Sequence, residues 1–325
     1  MIDIQRLAYR GALALYRPDR APHLSILMFH RVLPTRDEMR PLETTAEEFE
    51  WQMRILSRHF NVLRLVDAVD MLRTASLPPR AACVTFDDGY ADNAAIAQPI
   101  MAKYGIPATV FVASGHLDGG RMWNDTIVES LRIIGEGELD LGEFGLGVFP
   151  IGDTGTRVKC AYSIIRASKY LGDARRREIA EYVASKAGEL PDNLMLTSAR
   201  LRDLSAAGVD IGGHTVSHPI LAGLPIEQAR EEIQGGRAAL AGILGQPPRI
   251  FAYPNGRRDQ DYNDEHIQLV KEAGFEAAVV TNVGVAGEGT DLYQLPRFTP
   301  WDKSELRYMV RMAWNARRLV KHTIA

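Results

Sequence analysis

Cysteine is scarce in this chain of 325 residues: Cys83 and Cys160 are the only two. A pair of thiols, one of them inside an apolar run, gives neither a disulfide framework nor a cysteine-based zinc site. Positive charge is not in excess. The 38 Lys and Arg stand against 41 Asp and Glu for a net charge of −3, which argues against a nucleic-acid protein held by phosphate contacts. No uninterrupted apolar stretch reaches the roughly 18 residues of a membrane span. The first twenty residues are broken by Asp3, Arg6, Arg10, Arg17, Asp19 and Arg20, so they lack the apolar core of a cleavable signal. A soluble, cytoplasmic protein is the expectation. Low-complexity linkers are missing as well, so the length is read as one large α/β domain with an insertion rather than two domains.

Against these absences stands the stretch Val84-Thr85-Phe86-Asp87-Asp88-Gly89-Tyr90. Residues 81–86 are apolar and short, as in a buried strand. The strand ends in two adjacent carboxylates, which point opposite ways on an extended backbone unless the chain turns. Gly89 permits that turn. One carboxylate can then hold a cation while the other stays free as a base. By itself the stretch reads equally well as a strand end with a polar turn. A second strand end, residues 209–213, leads into His214-Thr215-Val216-Ser217-His218-Pro219. Two imidazoles at i and i+4 can reach one metal, and Pro219 limits any helix to a turn. Strand ends of one parallel sheet converge on one rim, where α/β ligands bind. Asp88, His214 and His218 would give three ligands and leave open positions, the pattern of a catalytic metal.

Thr85-Phe86-Asp87-Asp88-Gly89-Tyr90 followed by His214-x-x-x-His218 resembles the first two motifs of the polysaccharide deacetylases (NodB homology, carbohydrate esterase family 4). Phe251-Ala252-Tyr253-Pro254-Asn255-Gly256 resembles the third. The resemblance covers residues 24–118 and 197–299. It implies a distorted (β/α)7 barrel, with Asp87 as catalytic base and Asp88, His214 and His218 on a divalent metal. It also implies that the backbone N–H of Asn255 meets the oxyanion. Two departures stand out. The third motif lacks its usual arginine, and Arg297, at another strand end, is the candidate replacement; an ordinary surface arginine paired with a carboxylate is the alternative. The late Leu-His motif, whose histidine is the family's general acid, is absent. Residues 26–30, an apolar strand ending in His30, fit a circularly permuted arrangement with that strand moved to the front. His30 is therefore the candidate acid, with a structural histidine at the barrel mouth equally open.

In chain order, residues 1–23 read as an amphipathic helix, packed on the barrel's exterior or in contact with an anionic membrane surface, and 24–303 as the catalytic domain. Thr45-x-x-Glu48 opens a helix as a capping box. A strand–helix–strand unit over residues 81–113, with the helix at 91–104, implies a parallel sheet. Residues 119–196 form an insertion over the mouth: a helix from Trp123 capped by Asn124 or Asp125, a glycine-rich hairpin, and a charged helical region at 157–186. Trp123 anchors the insertion or stacks on a sugar. The charges of a helix at 225–244 are expected on a solvated face. Residues 304–325 read as a basic amphipathic helix, packed on the barrel or resting on a membrane surface.

The ligand set suits Zn²⁺, with Co²⁺, Ni²⁺, Mn²⁺ or Fe²⁺ as alternatives. An Fe(II) oxygenase triad is disfavoured by the order of Asp before the His pair. The expected function is a metal-dependent hydrolase removing N-acetyl groups from amino sugars of a polysaccharide or glycolipid. A catalytically lapsed carbohydrate-binding protein and a deformylase of a lipid-linked amino sugar stay open beside it.

Overall fold

The computed structural model describes residues 22–320 together with Gly11. Seven parallel strands pair in chain order: β1 (Leu24–Phe29), β2 (Ala81–Phe86), β3 (Ala108–Val112), β4 (Asp210–Gly213), β5 (Ile250–Ala252), β6 (Ala277–Val280) and β7 (Leu295–Pro296). The sheet closes on itself. The Met28 N–H donates to the Phe298 carbonyl at 2.9 Å, and the Phe298 N–H to the Ile26 carbonyl at 3.1 Å. Strand β1 thus lies between β2 and the end of β7. Every residue of β1, β2, β3, β5 and β6 is buried. That is why they read as mostly apolar runs, broken only by Ser25, Thr85 and Thr109, rather than as alternating patterns. The result is the expected α/β barrel of seven strands. Its registers set the site: Phe29 pairs with Phe86 and Val112 with Gly213, so His30, Asp87 and His214 all leave the sheet at one rim.

Helix α1 (Ala46–His59) begins at Thr45, whose side chain accepts from the Glu48 N–H while Glu48 reaches back to the Thr45 N–H. Its Phe49, Met53 and Leu56 enter the barrel's outer core. Helix α2 is Leu65–Arg73. The helix expected over residues 91–104 starts instead as a π-turn, Asn93–Ala97, and continues as α3 (Gln98–Lys103). The wide turn falls where the Asn93 Nδ2 donates to the His30 carbonyl at 2.9 Å, a tertiary bond that local sequence does not reveal.

Over the mouth lie α4 (Trp123–Ile133), a hairpin of Gly137–Asp140 with Val148–Ile151, α5 (Thr154–Ser168) and α6 (Asp173–Ser185). They share a core of their own that includes Ile127, Leu131, Ile164, Ile179 and Val183. The charged region 157–186 is helical as expected, in two helices with a break at residues 169–172. One expectation, the cap of α4, needs correction. Neither Asn124 nor Asp125 caps α4; the N-cap is Met122, without a side-chain bond. Asp125 is fully buried, 2.7 Å from the Arg40 guanidinium, and accepts from the Tyr90 hydroxyl at 2.8 Å. An ion pair to the barrel loop overrides its local capping preference.

The chain continues through α7 (Ser198–Ala206), α8 (Ile226–Leu244) and α9 (Asp264–Glu272) and ends in α10 (Glu305–Asn315). The last helix is shorter than the 304–325 expected from sequence, and residues 321–325 lie outside the described residues, as does most of the 1–23 segment. Tyr308, Met309, Met312 and Ala313 of α10 pack on the core that α1 covers. Among the described residues, no helix is long and apolar enough to cross a membrane.

Candidate metal and catalytic site at the barrel rim

The turn after β2 is made by two residues in the left-handed region, Asp88 at φ 75° and Gly89 at φ 86°. Gly89 alone would not reverse the two carboxylates; Asp88 itself takes the strained conformation. Thr215 (66°), His218 (58°) and Asn255 (59°) do the same at neighbouring strand ends. Such residues cost about 1–3 kcal/mol each and persist where the surroundings over-determine them. Their gathering on one rim marks the place where geometry has been set against backbone preference.

Asp88, His214 and His218 converge there. The His214 and His218 Nε2 atoms lie 3.4 and 3.5 Å from the Asp88 Oδ1. All three candidate ligand atoms fall within 4.8 Å of one another. The Asp88 Oδ1 is buried and makes no hydrogen bond. The His214 Nδ1 lies 2.7 Å from the Ala252 carbonyl, which only accepts. Nδ1 must therefore carry a proton, which leaves Nε2 as the ring atom that faces the site. Burial drives the His218 pKa down to about 3, leaving that imidazole neutral at physiological pH. Burial would raise the Asp88 pKa, but the facing imidazoles hold it well below the ordinary carboxylate value. An ionised carboxylate with an orphaned oxygen and two imidazole Nε2 atoms beside it fit a divalent cation with room for further ligands.

Asp87 takes the other direction. Its Oδ1 accepts from the Arg297 Nη1 at 2.6 Å and its Oδ2 from Nη2 at 2.7 Å. Arg297 is fully buried and also bonds to the Thr85 hydroxyl and the Val280 carbonyl. Burial would raise the Asp87 pKa, yet the Arg297 charge, with His214, brings it below the usual range. Arg297 is thus no surface residue: it is buried and holds both oxygens of the Asp87 carboxylate.

Asn255 and the half-buried His30 line the same cavity of about 550 Å³. No described residue accepts from the Asn255 backbone N–H, while the Thr281 hydroxyl fixes its carbonyl at 2.7 Å. Trp123 reaches the cavity too, and its ring sits 5.4 Å from the Arg176 guanidinium.

Sequence reasoning missed Glu232. Its Oε2 accepts from the Val216 and Ser217 N–H groups at 2.9 and 2.8 Å, and its Oε1 from the Ser217 hydroxyl at 2.7 Å. The charges of α8 do not all face solvent, as expected above; this one clamps the loop between the two histidines. Glu43 was also passed over. It lines the cavity, and burial raises its pKa although His30 and two arginines oppose the shift. Neither carries a motif by which to find it.

A family model described as Polysaccharide deacetylase matches residues 74–141 and 169–278. The gap between the two matches lies inside the insertion. YxkH of Bacillus subtilis (strain 168), itself assigned as a polysaccharide deacetylase by inference, is 23% identical over 286 residues, 87% of this chain and 74% of its own. Among solved structures, the Streptococcus pyogenes deacetylase PplD, in complex with acetate, has a TM-score of 0.61 at 19% identity, covering 90% of this chain and 99% of PplD. IcaB from Ammonifex degensii has a TM-score of 0.59 at 20% identity, covering 91% and 98%. At such identities the structural likeness is one of fold. The family match, which spans more than half of the residues and includes both the Asp pair and the His pair, establishes that this chain belongs to the polysaccharide deacetylase family.

Proposed function

We propose that this chain is a metal-dependent de-N-acetylase acting on an N-acetylated amino sugar of a glycan or glycolipid. The observation that carries the reading is the division of labour between neighbours: Asp87 locked to Arg297, Asp88 left open beside two histidines. Asp88, His214 and His218 would hold the cation, with Zn²⁺ the best match to one carboxylate and two imidazoles and Co²⁺, Ni²⁺, Mn²⁺ or Fe²⁺ as substitutes. When bound, such a cation polarises the acyl oxygen and acidifies water.

The chain's own groups do the rest. Asp87 is ionised and accepts the proton of the attacking water through a lone pair that Arg297 leaves unused. Arg297 fixes the carboxylate plane and keeps it charged. The Asn255 N–H, unclaimed by any described residue, donates to the oxygen that becomes negative as the carbonyl turns tetrahedral. His30 gives its proton to the departing amine.

The test is acetate release from N-acetylglucosamine oligomers by metal-stripped protein, with Zn²⁺, Co²⁺ or Ni²⁺ restored, beside Asp87→Asn and His30→Ala. Metal-restored release that Asp87→Asn abolishes without loss of metal is the expected result. Turnover unchanged in Asp87→Asn would remove Asp87 as the base. Formate release from N-formyl substrates in preference to acetate would replace the acyl group in this reading.

A further inference from the structure

Among the described residues, one face of helix α10 is left uncovered. Met309, Met312 and Ala313 are buried, but Leu306, Val310 and Trp314, at i, i+4 and i+8, form a separate exposed stripe. Trp301 lies just before the helix, and these four side chains are between 41% and 61% exposed. Trp301 and Trp314 also line the catalytic cavity, so the apolar strip runs from its mouth outward along α10. An exposed strip of this kind marks a contact surface.

Its flanks are cationic. Lys303, Arg54 and Arg311 already have carboxylate partners in Glu48, Glu305 and Asp302. Arg307, Arg317 and Arg318 have none among the described residues, and the Arg318 guanidinium stacks on the Trp314 ring at 3.5 Å. We infer that this face docks on an anionic lipid bilayer and presents the cavity mouth to it. Aliphatic Leu306 and Val310 have nothing to offer the hydroxyls of a sugar, which argues against an extension of the glycan groove. Apolar residues between unpaired arginines match a headgroup layer over acyl chains, the pattern of interfacial helices. The inference concerns a surface, not the reaction, and stands apart from the acyl group removed.

Co-sedimentation of the full chain with vesicles of phosphatidylcholine, with and without phosphatidylglycerol, tests it. Binding to the anionic vesicles that weakens at high salt is expected. Leu306→Gln with Val310→Gln weakens it on the order of tenfold. Arg307→Glu weakens it about fivefold or more. Both variants keep the wild-type melting temperature and the wild-type behaviour toward soluble N-acetylglucosamine oligomers, because none of these residues belongs to the site. Failure to bind anionic vesicles at low salt, or binding indifferent to both variants, overturns the inference. So does a concentration-dependent dimer that the double substitution dissolves, since a second copy would then be what covers the face. Absence of acetate release would count against the deacetylase reading alone.

Discussion

Arg297 and Asp87, 210 residues apart in the chain, meet as a bidentate ion pair inside the barrel, at 2.6 and 2.7 Å. The closure of the sheet brings them together, because β1 is the only strand between β2 and the end of β7. The planar guanidinium matches both carboxylate oxygens at once, and the burial of both side chains limits how far water screens the pair.

Arg297→Lys keeps the charge and loses the fork. We expect kcat to fall at least tenfold with KM little changed, because on the proposed mechanism Asp87 is misaimed as base while the substrate surface stays intact. Arg297→Ala leaves a buried carboxylate unpaired and destabilises the fold by about 3–5 kcal/mol. Steady-state kinetics of the Lys variant and thermal melts of both separate orientation from folding. An Arg297→Lys enzyme with wild-type kcat would reduce the ion pair to a structural one.

The orphaned Asp88 Oδ1 predicts a large response to metal. Adding Zn²⁺ to about 100 times its Kd should raise stability by about 2.7 kcal/mol, read as an increase in melting temperature. Asp88→Ala and His218→Ala should each abolish that increase. Asp87→Asn should retain it, because Asp87 is turned to Arg297 and not to the three ligand atoms. Calorimetric titration of the three variants with Zn²⁺ checks the assignment, and an Asp87→Asn protein that no longer binds metal contradicts it.

What the sequence made legible were features that chemistry confines to one place. A buried strand that stops at two carboxylates and a strand that stops at His-x-x-x-His need few alternatives, and both sit on the rim. Arg297 was reachable only through a vacancy, the missing motif arginine, since nothing near Leu295-Pro296-Arg297 points to Asp87. Glu232 was not reachable at all: a glutamate on an amphipathic helix looks the same whether it meets water or three donors of a loop. Asp125 was misread because capping preference is local, whereas the Arg40 guanidinium reaches it from another part of the chain. The exposed stripe on α10 was hidden for a related reason. Leu306, Met309, Val310 and Ala313 look like one apolar face, and only packing shows that two are buried and two are not.

Arg132 gives a pH prediction. It pairs with Asp37 at 2.6 Å and with Glu129 at 2.9 Å, joining α4 to the loop after β1. Burial would raise both carboxyl pKa values, but the bonds and charges of Arg132 and Arg40 bring both below their ordinary values. Groups depressed in the folded state contribute stability above the unfolded carboxylate pKa of about 4 and lose it as pH falls through the folded values. Arg132→Gln should therefore melt below the wild type at pH 7, and the gap should close as pH drops from about 5 to below 3. Melts across that range decide it. A gap that stays constant would mean that Arg132 contributes packing rather than charge.

Glu232 offers the sharpest separation of loop geometry from ligand chemistry. Its hydrogen bonds go not to Asp88 or the imidazoles but to two N–H groups and a hydroxyl of the segment joining His214 to His218. His218 depends on that segment, since its left-handed backbone is tied by its N–H to the Thr215 hydroxyl at 3.0 Å. Glu232→Gln retains one acceptor and should keep most metal affinity. Glu232→Ala leaves the donors unmatched, frees the loop, and should lower Zn²⁺ affinity about 10- to 100-fold, as loss of an outer partner does at metal sites. If the loop were rigid through Pro219 and the Thr215 bond alone, both variants would bind Zn²⁺ like the wild type. Equal loss in Gln and Ala would instead point to the charge, acting on the cation through space. Only a graded loss, Ala well beyond Gln, fits a carboxylate whose work is to hold the backbone in place.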